Sequence, residues 1–272
     1  MNPKRIFHPF FIPISHRTDF FLHLLLTSVL LFLLVLPSKL HATGPTSDAW
    51  IQKLDQNYYY PQNLGLLKLT VDIQWETSLS DAESTGRNPE VQFHWEKGNR
   101  LDHREFSIKK KDGNISDQRA NEIIQLFQNY QEVVLPHTLN QNFMGFELIG
   151  KKETKNGIYL RFAPSTANHP NRGIELRIDP GKLQIKTFKI SRNGPPHLVT
   201  SHMQYIKKGN QWLVAETLSQ FEMNKQSYQE TISIFYHPVE GFWLPKKAVH
   251  RLTLKGNLLN SHTFRFHNYR LN

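Results

Sequence analysis

The stretch "LKLTVDIQWE", Leu67 to Glu76, decides how this chain is read. Leu67, Leu69, Val71, Ile73 and Trp75 alternate strictly with Lys68, Thr70, Asp72, Gln74 and Glu76. Successive side chains of a pleated strand leave on opposite faces, so a period of two is the strand period. The run therefore predicts a strand with one apolar and one wet face. Upstream, "AWIQKLDQNYYY" places Trp50, Ile51, Leu54 and Tyr58 along one side of a short helix, with Ser47 or Asp48 as its cap and Pro61 and Gly65 closing it. Downstream, "TSLSDAESTGRNPE" is a polar loop. Val91, Phe93 and Trp95 then alternate with Gln92, His94 and Glu96, and "KGN" turns the chain into a partner strand through Phe106 and Ile108.

Residues 116 to 134 change period. "SDQRANEIIQLFQNYQEVV" opens on a Ser/Asp cap and sets Ile123, Leu126 or Phe127, Tyr130 and Val134 at helical spacing, so one amphipathic helix is predicted. From Phe146 onward short apolar-alternating runs are separated by Asn156-Gly157, Pro180-Gly181, Lys208-Gly209-Asn210 and the turn "HPVEGF". The expected fold is mainly β with helices (α+β). It is an incomplete antiparallel β-barrel of roughly ten to eleven strands, capped by two or so helices.

Two phrases in this region share a form. "YIKKGNQWLVAETL", Tyr205 to Leu218, and "YHPVEGFWLPKKAV", Tyr236 to Val249, both run from Tyr through a Gly turn to Trp-Leu. Consecutive hairpins of one sheet produce this, with the two aromatics near each other across the strands. Only the second has Pro after Trp-Leu, and Pro245 lacks a strand N–H, so an edge or a bulge is expected there, where an unclosed barrel opens. Along the Trp212 strand, strict alternation puts Trp212, Val214 and Leu218 on one face and Leu213, Ala215, Phe221 and Met223 on the other. Apolar residues on both faces imply cover on both sides.

Residues 20 to 36, "FFLHLLLTSVLLFLLVL", follow Lys4, Arg5 and Arg17 and precede Leu40 and Ala42 at −3 and −1 of a cleavage site. These are the parts of a secretory signal, and the run also stands at the lower limit for a membrane span. Residues 1–42 are expected to be a signal peptide or an N-terminal membrane anchor, and 43–272 a single domain. The chain is exported under either reading, to the periplasm or tethered to the inner membrane with the domain in the periplasm. The leader holds four of the 33 Lys/Arg and one of the 23 Asp/Glu, which leaves the domain at +7. A modest positive balance on an exported domain suits an anionic membrane surface or acidic polymer more than nucleic acid, and charge dispersed in short clusters beside turns also serves solubility and discourages edge pairing.

Catalytic motifs are missing from the sequence. The absence of Cys excludes disulfides, thiolate metal sites, a cysteine nucleophile and a lipidated cysteine. The ten His after position 42 show no metal-ligand spacing and are expected to be isolated and mostly at the surface. Asp102, His103 and Glu105 lie together, but neighbours in a strand point apart. Aromatic residues at strand positions stand out instead: Trp75, Phe93, Trp95, Trp212, Trp243, Phe264 and Phe266. They either fill a barrel or line a cavity for an acyl chain.

The layout and three local phrases resemble the LolA/LppX-like superfamily of bacterial envelope proteins. "LRIDPGKLQIKTFKI" (176–190) is similar to its Asp-plus-small-residue hairpin. "EGFWLPKKAVHRL" (240–252) is similar to its Trp-Leu-Pro strand after a Gly turn, and "RFHNYRLN" (265–272) to its closing strand. The resemblance covers about residues 47 to 272 and implies a half-barrel closed by helices over an apolar cavity. It carries no ligand-binding residue across. The expected function is a non-catalytic carrier or chaperone-like protein binding a lipid, acyl chain or lipidated protein, monomeric, with no metal and no cofactor. The seven aromatics are its cavity candidates and the helix over 116–134 its lid. The alternative is a structural or interaction module of the envelope with a filled barrel and no ligand.

Overall fold

The alternating stretch becomes strand β1, Lys68–Leu79, with Leu69, Val71, Ile73 and Trp75 buried. The computed structural model describes residues 49–79, 88–98, 102–109 and 115–271. The expected leader and its cleavage site lie outside them. Each apolar-alternating run forms its own strand, including the six-residue edge strand β3, so the described residues hold twelve strands and not ten or eleven. They are β2 (Val91–Glu96), β3 (His103–Ile108), β4 (Phe146–Thr154), β5 (Gly157–Pro164), β6 (Asn171–Asp179) and β7 (Gln184–Arg192). The rest are β8 (Leu198–Lys208), β9 (Gln211–Met223), β10 (Gln226–Val239), β11 (Phe242–Leu254) and β12 (Asn257–Leu271).

All twelve form one antiparallel sheet in the order β3-β2-β1-β12-β11-β10-β9-β8-β7-β6-β5-β4. Chain neighbours are sheet neighbours except β3 and β4, which form the two edges, and the one long-range pairing is β1 with β12, where Trp75 stands opposite Phe264. The sheet ends on β3 and β4 and is not closed: it is an open half-barrel with a few helices. Three hairpins turn on consecutive residues with positive φ: Asn224-Lys225, Glu240-Gly241 and Lys255-Gly256. That is the backbone of a type I′ turn, whose twist matches the flanking strands. Among the described residues no helix is long and apolar enough to cross a membrane.

The expected helix over 116–134 is broken. Helix α2 spans Asp117–Gln128 with Ser116 capping it through Arg119 N, and α3 is a single turn, Gln131–Val134. The break falls at Asn129, whose N–H bonds to Leu126 O and Phe127 O, and at Tyr130, which leaves helical geometry. Helix α1 is Ala49–Asp55, shorter than the apolar spacing up to Tyr58 suggested, and α4, Leu139–Asn142, starts in a Thr138–Gln141 capping box.

Two packed clusters occupy the inner face. The first lies under α2 and α3, from β1, β2, β3, β11 and β12. There Phe127 meets the rings of Trp75 and Phe264, both at 5.5 Å. The second joins α1, Phe143 and strands β5 to β7.

Two bulges redirect strand faces between these clusters. Gln204 pairs with Glu216 but Tyr205 with Val214, so Ala215 is the extra residue in β9. It shifts the register of the strand, so that Val214 stands opposite Tyr205 and Thr217 opposite Met203, and Trp212, Leu213 and Val214 line the cavity with Thr217 and Ser219, against strict alternation. Pro245 sits at the second, where Phe235 pairs with Lys247 and Tyr236 with Pro245. The expectation of a bulge at Pro245 holds, because β12 pairs β11 only from Lys247 onward. The sheet does not open there, since β11 is an interior strand.

Candidate functional site

An apolar cavity of about 140 Å³ lies between the two clusters. Its wall is the inner face of β6 to β10, and its roof is Tyr58–Tyr60 together with the segment from Glu132 to Phe143. Of the expected lid over 116–134, helix α2 packs on the first cluster through Phe127, while Glu132 and Val133 of α3 belong to the roof.

That roof is tied down on each side. Arg104 of β3 donates through Nη1 to Leu135 O at 2.7 Å and lies 3.6 Å from the buried Glu132 carboxylate. Glu132 also accepts from His137 N at 2.8 Å and pairs with the His137 ring. On the other side Asp55 accepts from Leu139 N at 2.7 Å and from Asn140 Nδ2 at 2.6 Å, and Gln62 Nε2 donates to Pro136 O at 2.6 Å.

The Tyr58–Tyr60 segment crosses the ends of the two repeated hairpins. Trp212 exchanges backbone hydrogen bonds with Asn57 O and Tyr59 N, at 2.8 and 2.9 Å, and Trp243 N donates to Tyr59 Oη at 2.7 Å. Three tyrosines one hairpin apart repeat one role: Tyr205, Tyr236 and Tyr269 donate to Ile185 O, Val214 O and Pro245 O. Tyr and Trp of one phrase are therefore not directly opposed; Tyr205 faces Val214 and Tyr236 faces Pro245. Burial pushes the Tyr58 hydroxyl up to about 12 and also raises those of Tyr60, Tyr205 and Tyr236. The cavity's phenols are neutral at any physiological pH.

Behind the cavity runs a row of polar side chains, one on each of six adjacent strands, five of them buried and Thr77 half-buried. Ser201 Oγ meets Ser219 Oγ at 2.7 Å, and Ser219 stands opposite Glu230. Glu230 Oε1 meets His250 Nε2 at 2.8 Å. The rings of His250 and His262 stack at 5.7 Å, and His262 Nδ1 reaches Thr77 Oγ1 at 2.9 Å. Tyr130, at the break between α2 and α3, joins through its hydroxyl to His250 Nδ1 at 3.0 Å. Ser201, Ser219 and Glu230 line the cavity. The next inward residues beyond them, Val199, Phe221 and Tyr228, belong to a third apolar cluster. The row is therefore the cavity's inner end.

His250 and His262, expected at the surface, are buried and face each other across β11 and β12. They lie on the inward series Ala248, His250, Leu252 and Asn260, His262, Phe264, so strand parity together with the Lys255-Gly256 turn was the available signal.

Of the seven aromatic candidates, Trp212 lines the cavity. Trp75, Phe93, Trp95, Phe264 and Phe266 sit in the first cluster, and Trp243 lies beside Tyr59 at the end of the β10–β11 hairpin. Asp102, His103 and Glu105 form no triad: His103 meets Glu105 at 3.4 Å at the surface, while Asp102 accepts from Gln141. A different set, Asp72, Glu90 and His267, brings its ligand atoms within 4.8 Å of one another. The Lys109 ammonium occupies that set, bonded to Asp72 and 3.4 Å from Glu90.

No family model and no curated protein matches this chain. Solved structures do match, and they include members of the superfamily that the sequence resembles. One is a LolA superfamily protein from Nitrosomonas europaea, 9% identical, covering 84% of this chain and 94% of that one at a TM-score of 0.29. Another is an outer membrane lipoprotein-sorting protein domain from Vibrio parahaemolyticus, 8% identical, covering 82% and 91% at 0.29. A third is MucB, 11% identical, covering 81% and 92% at 0.24. At these values no residue role or ligand carries over.

Proposed function

We propose that this protein is a non-catalytic binder that holds one apolar chain of a lipid or acylated molecule in the cavity between its two clusters. The observation that carries the reading is the cavity itself, apolar along β6 to β10 and left unfilled between two densely packed regions. Well-packed interiors leave few voids larger than a water molecule, so a space of this size is a feature to explain. At about 140 Å³ it is comparable to the roughly 150 Å³ hole that admits a benzene ring in an engineered core. It suits one slender chain and not a bundle of three. Each methylene entering it contributes about 0.8 kcal/mol. The Glu132–Phe143 roof is the element that moves for entry and release.

The reading places the protein in the periplasm, free or tethered, since the apolar run 20–36 addresses it for export. Its partner surface is an anionic membrane, and the turn end of the sheet supplies the contact. Trp212 and Trp243 lie there, at the starts of β9 and β11, and these two and Trp50 of α1 each have a lysine ammonium over the ring. Lys207 is 5.5 Å from Trp212, Lys208 3.6 Å from Trp243, and Lys151 4.5 Å from Trp50. Trp with Lys is the pairing that suits a lipid–water boundary, with an apolar body and a charged tip.

Native mass spectrometry of the full chain, with analysis of its organic extract, tests the reading. One lipid per protein is expected, lost when Ile232→Trp fills the cavity; repeated recovery of empty protein that takes up no added lipid overturns it. The second reading, an interaction module with no ligand, draws on the five aromatic candidates packed solid in the first cluster. It gains if the Ile232→Trp protein behaves as wild type in every respect.

A further inference from the structure

We infer that Glu230 anchors the polar end of the bound molecule, and that this molecule is a single-chain amphiphile with a hydrogen-bond-donating head, a hydroxyl or a primary ammonium, and not a fatty acid. The inference rests on the cavity being a lipid site and adds the head group and its orientation.

Glu230 is 3% exposed, lines the inner end of the cavity, and has one carboxylate oxygen engaged and one without a partner. The engaged oxygen fixes the protons around it. Burial first, and then the Glu230 charge, raise the Tyr130 hydroxyl well above its ordinary range, so it keeps its proton. Facing a carboxylate oxygen at 2.8 Å, His250 Nε2 donates to Glu230 Oε1, while Nδ1 meets the Tyr130 hydroxyl at 3.0 Å. Tyr130, His250 and Glu230 Oε1 thereby each have a partner, and Oε2 is left over. Ser219, opposite on β9, meets Ser201 Oγ at 2.7 Å and makes no hydrogen bond to Oε2. A buried acceptor without a donor is costly, and a head that brings a donor removes that cost.

The charges around the cavity point the same way. Two carboxylates line it, Glu132 and Glu230, and neither lysine nor arginine does. Glu132 is already held by Arg104 and His137, and Glu230 by His250 through one oxygen, which leaves Glu230 Oε2 as the cavity's carboxylate oxygen without a partner. A fatty-acid carboxylate arriving here meets a second carboxylate and no cation. An alcohol meets an acceptor, and an ammonium an opposite charge in a dry site, where such a bond is at its strongest. The ligand therefore lies head-inward, with its head at Glu230 and its chain running along β8 to β10 toward Trp212.

Native mass spectrometry of the full-length protein with decane, 1-decanol, decylamine and decanoate decides it. We expect the alcohol and the amine to bind at least about tenfold more tightly than decanoate, the difference a single satisfied buried acceptor makes. In Glu230→Gln the amine falls to the level of the alcohol and decanoate rises. Equal binding of all three heads, or unchanged ratios in Glu230→Gln, overturns the assignment while leaving the cavity reading intact. No binding of any probe, decane included, overturns the cavity reading itself. If Glu230→Gln does not fold, the head-group ratio of the wild-type protein decides alone.

Discussion

The hydroxyls of Tyr58 and Tyr205 stand 3.2 Å apart and close a ring of three hydrogen bonds around one residue. Ile185 N donates to Tyr58 Oη at 2.8 Å, Tyr58 donates to Tyr205 Oη, and Tyr205 donates to Ile185 O at 2.7 Å. The ring stands where the sheet fails: β7 pairs β8 only over Thr187 to Ser191, so Ile185 lies beyond the ladder. Tyr58→Phe orphans a buried N–H and is expected to cost about 1–3 kcal/mol. Tyr205→Phe is expected to cost less, because a carbonyl with one lost donor is tolerated better than an N–H with none. Urea denaturation of both variants measures this. Equal and negligible losses contradict the stapling role given to Tyr58.

Asp72 makes part of the stability pH-dependent. Burial pushes its carboxyl up, but hydrogen bonds from Lys109, Gln92 and Asn268, with the Lys109 charge, outweigh this and hold it at about 2. A carboxyl depressed on folding stabilises fully above its unfolded value, about 3.9, and that stability is lost as pH falls through the folded value. The contribution is about 2 kcal/mol, present at pH 7 and draining away between roughly pH 4 and pH 2. Denaturation at pH 7, 4 and 2.5 should show the wild-type protein falling more steeply than Asp72→Asn. Parallel curves contradict the assignment.

The turn end of the sheet is expected to dock on anionic lipid. All five Trp lie after residue 49, so quenching by brominated lipids reports the domain and not the leader. Full-length protein with vesicles containing phosphatidylglycerol should be quenched at low salt, and little quenched by phosphatidylcholine alone or at high salt, where exposed charges are screened. Lys207→Glu with Lys208→Glu should abolish the effect. Lys225→Glu with Lys255→Glu, in turns at the opposite end, should leave it. Equal loss from both pairs indicates diffuse charge and no docking face.

Much of this fold was legible in the chain, and the reason is local. Alternation in Leu67–Glu76 and turn pairs such as Asn156-Gly157 fix strands without reference to distant residues. What escaped depends on long-range register. One extra residue, Ala215, shifts the register of β9, and nothing in its neighbours announces it. The cavity therefore stood hidden behind a parity that looked settled. The aromatic residues, which the sequence allowed as filling or as a wall, largely serve as filling: Phe93 and Trp95 are fully buried in the first cluster. Glu230, His250 and Tyr130 come from three separate elements, and only the assembled sheet brings a carboxylate to an imidazole at 2.8 Å.

Trp212, the tryptophan on the cavity wall, gives the central claim its most direct test. Titrating the purified protein, without vesicles, with 1-bromodecane should quench part of its tryptophan fluorescence, saturating at one equivalent, and Trp212→Phe should abolish that saturable component. Quenching that never saturates, or that survives unchanged in Trp212→Phe, contradicts the reading of this cavity as the seat of an apolar chain.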